Sequence, residues 1–282
     1  DTPEAFDRYD GKTYIWKPNC SSGSRNITIL SGEELTEANA RKAWERAAEA
    51  SADGKGIVEE FCEGTEYTVE MLGDGYGNVG VYGISKKYHT PYNTRNKIAV
   101  KLHYCPPDVS DEQQARLAAF GQSCYRALGL SCSFGHLEVI VKPDGTMVPV
   151  EMGARSSGFI ASHLVDLIHE KTVYLPDYAR VIRGETGKDG ITFPKTASSM
   201  YYFYDVRPGT GREMRSIVDF LPEGITSYAH DRTQLIDGHR FVPVKADHER
   251  YGFEILGGKR EILTIEAVEM AEKAWNEAVI LR

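Results

Sequence analysis

With 282 residues, of which 33 are Lys or Arg and 41 Asp or Glu, the chain has a formal charge of −8, so it lacks the basic excess that a phosphate backbone demands, and nucleic acid is excluded as its main partner. A hydrophobic fraction of 41% and a charged fraction of 26% are ordinary globular values, with length enough for two domains or for one domain of several lobes. No apolar stretch approaches the ~20 residues of a membrane-spanning helix, and no signal peptide is visible.

The five cysteines, Cys20, Cys62, Cys105, Cys124 and Cys132, are odd in number and contain no C-x-x-C pair. They read as free thiols in a reducing compartment, and so as those of a cytoplasmic protein. The chain opens at Asp1 without a methionine, and an upstream segment is expected.

In chain order, "TYIWKP" (13–18) reads as a strand and "NITIL" (26–30) as its partner, with "NCSSGSR" between them. Ala40, Ala43, Trp44, Ala47 and Ala48 then recur on one helical face until "ADGKG" stops the helix. "GIVEEF", "TEYTVEML" and "VGVYGIS" read as three more strands. Residues 87–107 read as irregular. Ser110 caps a second helix, with Gln113 reaching back as in a capping box. Its inner stripe is Leu117, Phe120, Gly121, Cys124 and Leu128, and Gly129 ends it. A hairpin follows at 134–153, then the helix "FIASHLVDLIHEK". From about 192 the texture is strands and turns ("TASSMYYFYDV", "GREMRSIVDF", "RFVPV"), closed by the amphipathic helix "TIEAVEMAEKAWNEAVI". The expected division is 1–86, a small lobe; 87–191, a larger lobe; and 192–282, a β-rich region with a terminal helix.

The hairpin carries the first chemical signal. Alternation puts Leu137, Val139 and Val141 on one side and His136 and Glu138 on the other. A four-residue loop, 143–146, pairs Lys142 with Met147, Val139 with Val150 and Glu138 with Glu151. Directly opposed carboxylates repel, and a divalent cation relieves that repulsion, Mg²⁺ being commonly held by one or two carboxylates together with phosphate oxygens and water. Arg155, four residues past Glu151, suits bidentate contact with a phosphate or a carboxylate. The plain alternative is two solvated glutamates. His136 reads as an ordinary polar-face histidine. Lys86, Lys87, Tyr88, His89 and Arg95 read as a solvated loop, with binding of a second substrate as the alternative.

"KPNCSSGSRN" carries the second signal. A hydroxyl-rich loop after a strand can cradle phosphate oxygens through its N–H groups, with Lys17 adding a charge. It is not a P-loop, because a strand follows where that motif needs a helix. In "IVEEFCEGTEYTVEML", Glu59, Glu60, Phe61, Gly64 and Glu66 follow Ile57 and Val58; by itself this is a polar strand pair.

Taken in order, these three elements resemble the ATP-grasp superfamily of carboxylate–amine/thiol ligases, in its amino-acid-ligase-like and biotin-carboxylase-like branch. The resemblance covers residues 1 to about 190 well and the C-terminal region more loosely. It implies an α+β, ATP-grasp fold of two α+β lobes with nucleotide between them, plus a C-terminal lid-type region. It implies that Lys17 contacts ATP phosphates and that Ser21, Ser22, Gly23 and Ser24 form the loop closing over them. Glu59, Glu60, Phe61 and Cys62 would line the adenine, Glu66 would hold the ribose, and Glu138 and Glu151 would bind Mg²⁺, or Mn²⁺ in its place. Arg155 would contact the transferring phosphate or the acyl group, and Arg155 and Lys17 would be the catalytic residues.

Two positions depart from the family pattern. Gly153 stands where the family usually has an asparagine, which puts a third metal ligand in doubt. Asn26 stands where the phosphate loop often has glycine, a mild change because Asn tolerates positive φ. The N-terminal Rossmann-like domain usual in the family is not in the sequence.

The implied function is ATP-dependent joining of a small-molecule carboxylate to an amine through an acyl phosphate. The alternatives are bicarbonate activation for biotin and a non-catalytic nucleotide-binding module. A homodimer is left open.

Overall fold

The computed structural model describes residues 10–21, 23–90, 100–157, 161–244 and 247–281. Its strands are β1 (Tyr14–Pro18), β2 (Thr28–Leu30), β3 (Gly56–Glu60), β4 (Thr65–Gly73), β5 (Val79–His89), β6 (Val100–Cys105), β7 (Phe134–Val141), β8 (Met147–Gly153), β9 (Gly190–Ile191), β10 (Ala197–Phe203), β11 (Gly209–Gly211), β12 (Thr226–Asp231), β13 (Arg240–Phe241), β14 (Phe253–Lys259) and β15 (Ile280–Leu281). Its helices are α1 (Glu37–Glu49), α2 (Asp111–Ala127), α3 (Ala161–Ile168), α4 (Tyr174–Val181) and α5 (Ile265–Val279). This is the α+β class expected from the sequence. No helix among the described residues is long and apolar enough to cross a membrane.

The chain divides into two compact units. One is built from the described residues of Asp1–Glu63, His89–Val100 and Pro243–Arg250; the other takes Gly64–Tyr88, Lys101–Val242 and Tyr251–Arg282.

In the first unit, β1 lies between β2 and β3 in a three-stranded antiparallel sheet. Thr36 caps α1, its side chain accepting from Asn39 N, which satisfies one of the orphan N–H groups of the first turn. Alanines every three or four residues then let α1 lie close on the sheet. A Cβ on Gly56 would stand only 3.3 Å from that of Ala47. Trp16, Leu30, Ala40 and Ala43 form the core beneath it.

In the second unit, strands run in the order β12-β14-β10-β6-β5-β4-β7-β8, with β9 pairing β5 in parallel, to make a nine-stranded sheet. The apolar side of β4 and β7, Val69, Met71, Leu137 and Val139, packs on Leu117, Ala118 and Tyr125 of α2. Ser110 caps α2 as expected, accepting from Gln113 N at 3.1 Å. Most of the expected α2 stripe faces inward, but Leu128 is 62% exposed: it is the C-terminal cap, past the last turn.

The sequence reading is corrected in four further places. Residues 87–89 continue β5 and 100–105 form β6, so much of the stretch read as irregular is strand; residues 91–99, with Arg95, lie outside the described residues. "GREMRSIVDF" holds only the end of β11 and a 3-10 turn at Ile217–Phe220. Helix α4 was not foreseen, because Pro176 reads as a breaker, yet proline is tolerated in a helix's first turn.

The fourth correction is the hairpin. Gly145 N donates to Lys142 O at 2.9 Å and Lys142 N to Thr146 O at 2.8 Å, with Gly145 at φ +83°. A type I turn followed by a left-handed residue closes a three-residue loop, 143–145, one residue shorter than expected. Val141 therefore pairs with Met147 and Val139 with Pro149, and the expected Lys142–Met147 and Val139–Val150 pairs do not form. A β-bulge beside Glu138 then takes up one residue and returns Glu138 to a position opposite Glu151.

Candidate functional site

In the first unit, β1 delivers Lys17 at its end, and Lys17 Nζ lies 2.5 Å from Glu59 Oε2. The loop after it is held at its base: Asn19 N donates to Lys55 O at 3.0 Å, Asn19 Nδ2 to Asp53 at 2.6 Å, and Cys20 N to Ser51 Oγ at 2.9 Å. Ser24 and Asn26 both adopt positive φ, +55° and +51°, so Asn26 occupies the left-handed conformation anticipated for it. Ser24 Oγ donates to Asp247 at 3.1 Å. Ser21 and Gly23 are exposed; Ser22 lies outside the described residues. Glu60 ends β3, exposed and ion-paired with Lys12 at 2.9 Å, and Phe61 N donates to Thr13 O at 2.8 Å. Phe61 and Cys62 are half-buried.

The second unit gathers the charged groups. On β4, alternation turns Glu66, Thr68 and Glu70 to one side. The register sets Thr68 beside Ser85 of β5 and Glu138 of β7, and Glu70 beside Gly83 and His136. Lys87, also on β5, is 6% exposed at its side chain and lies between two carboxylates, 2.6 Å from Glu66 Oε1 and 2.7 Å from Glu138 Oε1. His136 donates from Nδ1 to Glu70 Oε1 at 2.6 Å, and its Nε2 stands 3.5 Å from Glu138 Oε1.

Burial disfavours the charged form of each of these groups, and here the partners outweigh it. Burial weakens Lys87, yet Glu66 and Glu138 raise its pKa above the usual lysine range. Burial likewise opposes the imidazolium, but Glu70 and Glu138 push His136 up to about 10. Glu138 is also penalised by burial, and Lys87 with His136 holds it well below the usual carboxylate range.

Several expected site residues thus come together. Glu138 and Glu151 are in register on one face, Glu138 largely buried and Glu151 exposed on the edge strand β8. Both close contacts of Glu138 fall on Oε1. Among the described residues, no group of three or more His, Cys, Asp or Glu side chains is placed to hold a metal by itself. Arg155 is exposed and donates to Ser156 O at 3.1 Å. It lies over Gly153, where a Cβ would stand 3.2 Å from its Cγ, so glycine at this position leaves room for the arginine.

Glu66, assigned to the ribose by the resemblance, is ion-paired with Lys87. Lys87 and His136 are neither solvated nor peripheral: both are buried at the centre of this cluster. Sequence reasoning missed Glu70 altogether. The signal was present in the period-2 run Glu66-Thr68-Glu70, but its partners belong to strands distant in sequence.

A profile of the ATP-grasp domain matches residues 11–163, more than half of the chain. The chain is 27% identical over 163 residues to the protein y4rH of Sinorhizobium fredii, covering 56% of this chain and 31% of that protein. It is 30% identical over 125 residues to a D-alanine–D-alanine ligase of Nitrosospira multiformis, covering 43% of this chain and 38% of the ligase. It thus spans about a third of the length of these curated relatives. Among solved structures, the L-amino acid ligase of Bacillus licheniformis superposes with a TM-score of 0.73 at 18% identity, over 99% of this chain and 66% of that one. The biotin carboxylase domain of Hydrogenobacter thermophilus 2-oxoglutarate carboxylase, solved with MgADP and bicarbonate, superposes with a TM-score of 0.60 at 19% identity, over 91% and 55%. On its fold and on the profile match, the chain belongs to the ATP-grasp family of ligases.

Proposed function

We propose that the protein is an ATP-dependent carbon–nitrogen ligase that joins a small-molecule carboxylate, such as that of an amino acid or short peptide, to an amine. The observation that carries this reading is the placement of Glu138 and Glu151 side by side at the end of a sheet face rich in ionised groups. Two carboxylates in register suit a divalent cation, with the remaining coordination positions left to phosphate oxygens and water. Mg²⁺ or Mn²⁺ held by Glu138 and Glu151 would supply charge neutralisation for a triphosphate.

In this mechanism the substrate carboxylate oxygen bonds to the γ-phosphorus of ATP and ADP leaves. The amine nitrogen then adds to the acyl phosphate carbon, phosphate departs, and the nitrogen gives up a proton. No nucleophilic side chain is required; the protein contributes position and charge. Lys17 and Arg155 offset charge on the transferring phosphate. The Ser21–Ser24 loop shields the acyl phosphate from water. Glu59 to Cys62 line the adenine through backbone groups. Lys87 fixes Glu138 in place and holds Glu66 beside it. Small-molecule substrates and a cytoplasmic setting go with this reading.

The test is a turnover assay on the protein with any upstream domain included, using ATP, Mg²⁺ and an amino-acid panel. Release of ADP and phosphate is expected. AMP and pyrophosphate would reject the acyl-phosphate route. ADP formation that requires bicarbonate and biotin would favour a carboxylase, and nucleotide binding without turnover a non-catalytic module.

A further inference from the structure

A small cavity of about 20 Å³ lies within the second unit, between the β4–β5–β6 face and α3. It holds one water-sized group and no more. Its polar wall is Glu70, Thr68, Ser85, His103 and Ser157; its apolar wall is Gly83, Cys105, Leu164 and Val165. Glu70 is 6% exposed, Thr68 2% and Ser85 5%. Such burial of a carboxylate is costly unless donors or a cation meet it.

The donors present account for only part of that demand. His136 donates to Glu70 Oε1 at 2.6 Å, and Ser157 N reaches Oε2 at a long 3.4 Å. A carboxylate pair of oxygens offers about four acceptor positions, so acceptor capacity is left over at the cavity. The Thr68 and Ser85 hydroxyl oxygens stand 2.5 Å apart, and each keeps lone pairs to offer. Among the described residues, no lysine or arginine lines the space. A single nitrogen carrying several protons matches this wall in size and in hydrogen-bonding sense, His136 already being the ion-pair partner of Glu70. A carboxylate or a phosphate matches it in neither. Thr68 is also the direct cross-strand neighbour of Glu138, so a nitrogen seated here lies one side-chain pair from the residues assigned to phosphoryl transfer.

We propose that this cavity, with Glu70 as its anion, is the subsite for the ammonium group of an amino-acid substrate whose carboxylate is the one activated. The assignment rests on the ligase reading for its chemistry, but it is tested by binding alone. The protein is titrated calorimetrically with amino acids and with their α-hydroxy counterparts, in the presence of Mg²⁺ and a non-hydrolysable ATP analogue. At least one amino acid is expected to bind about tenfold or more tightly than its hydroxy counterpart.

Glu70→Gln, which keeps the shape and removes the charge, should shrink that ratio to within about threefold. Gly83→Ala is the second variant: its Cβ would stand 3.2 Å from Val165 Cγ2 and 3.5 Å from Cys105 Sγ, filling the space while leaving Glu70 in place. It should shrink the ratio equally, and it decides the matter if the Gln variant does not fold. Absence of any preference in the parent protein, or survival of the preference in either folded variant, overturns the assignment. ADP release is scored separately. Release with an untouched preference would sink the cavity assignment and keep the ligase, whereas a preference lost in the variants with no release would do the reverse.

Discussion

Lys87 illustrates how one buried charge can organise several others. It lies within 2.7 Å of both Glu66 and Glu138, and all three side chains are largely removed from water. Lys87→Met should lower unfolding free energy by about 3–5 kcal/mol, the usual cost of breaking a buried pair from one side. Urea denaturation with an unchanged m-value would measure it, and a change below about 1 kcal/mol would show that the pair is no more than a surface contact.

Two other buried glutamates contrast with each other in how burial is met. Glu254 is penalised by burial, but Arg232, Ser227 and Tyr204 donate to it, and its pKa falls below the usual range. Its contribution to stability is therefore present above the unfolded value of 4.5 and is lost as pH falls. Glu272 is dominated by burial. Lys101 at 2.7 Å is its charge partner, but burial, with Asp205 nearby, outweighs it, and the carboxyl is pushed up to about 7. Between 4.5 and about 7 the folded form holds more protons than the unfolded one, so stability falls as pH rises through that window, by at most about 1.4 kcal/mol per unit. Glu272→Gln should remove that slope. Chemical denaturation at pH 5 and pH 7.5 would show the parent losing ground to the variant as pH rises, and parallel curves would refute the assignment.

At the scale of elements, the sheet and α2 meet through a glycine. A Cβ on Gly135 of β7 would stand 2.6 Å from Tyr125 Cδ2, and the Tyr125 ring is fixed by its hydroxyl, which donates to Ser131 O at 2.7 Å. Gly135→Ala should destabilise by about 1–3 kcal/mol, the range for overpacking a core, read as a lowered Tm; an unchanged Tm would mean that the ring can move.

The same elements show what the sequence could reveal. That a hairpin forms and that Glu138 and Glu151 share one side of it was legible from period-2 alternation and a glycine turn, but the four-residue loop from which their direct pairing was read does not form. The bulge that restores this pairing was not legible, because a bulge carries no compositional mark and its cost is met by packing elsewhere in the sheet. The cluster of Glu70, Lys87 and His136 was illegible for a different reason. Each residue lies on a separate strand, and the order β5-β4-β7 that joins them is a property of the whole sheet. Lys87 was further obscured by the turn-forming "HTPYN" that follows it. Asn26 was legible because its side chain alone suffices to favour positive φ.

For the molecule as a whole, family membership rests on a profile match over residues 11–163, while the proposed chemistry rests on the proposal that two carboxylates share one ion. Ligand binding to the folded state stabilises it by mass action, but only a difference in metal dependence isolates these side chains. The direct measurement is titration of ADP into the parent and into the Glu138→Ala/Glu151→Ala variant, each with and without Mg²⁺. The account predicts that Mg²⁺ strengthens ADP binding to the parent by about tenfold or more and leaves the variant's affinity unchanged. An equal Mg²⁺ enhancement in both proteins would contradict it.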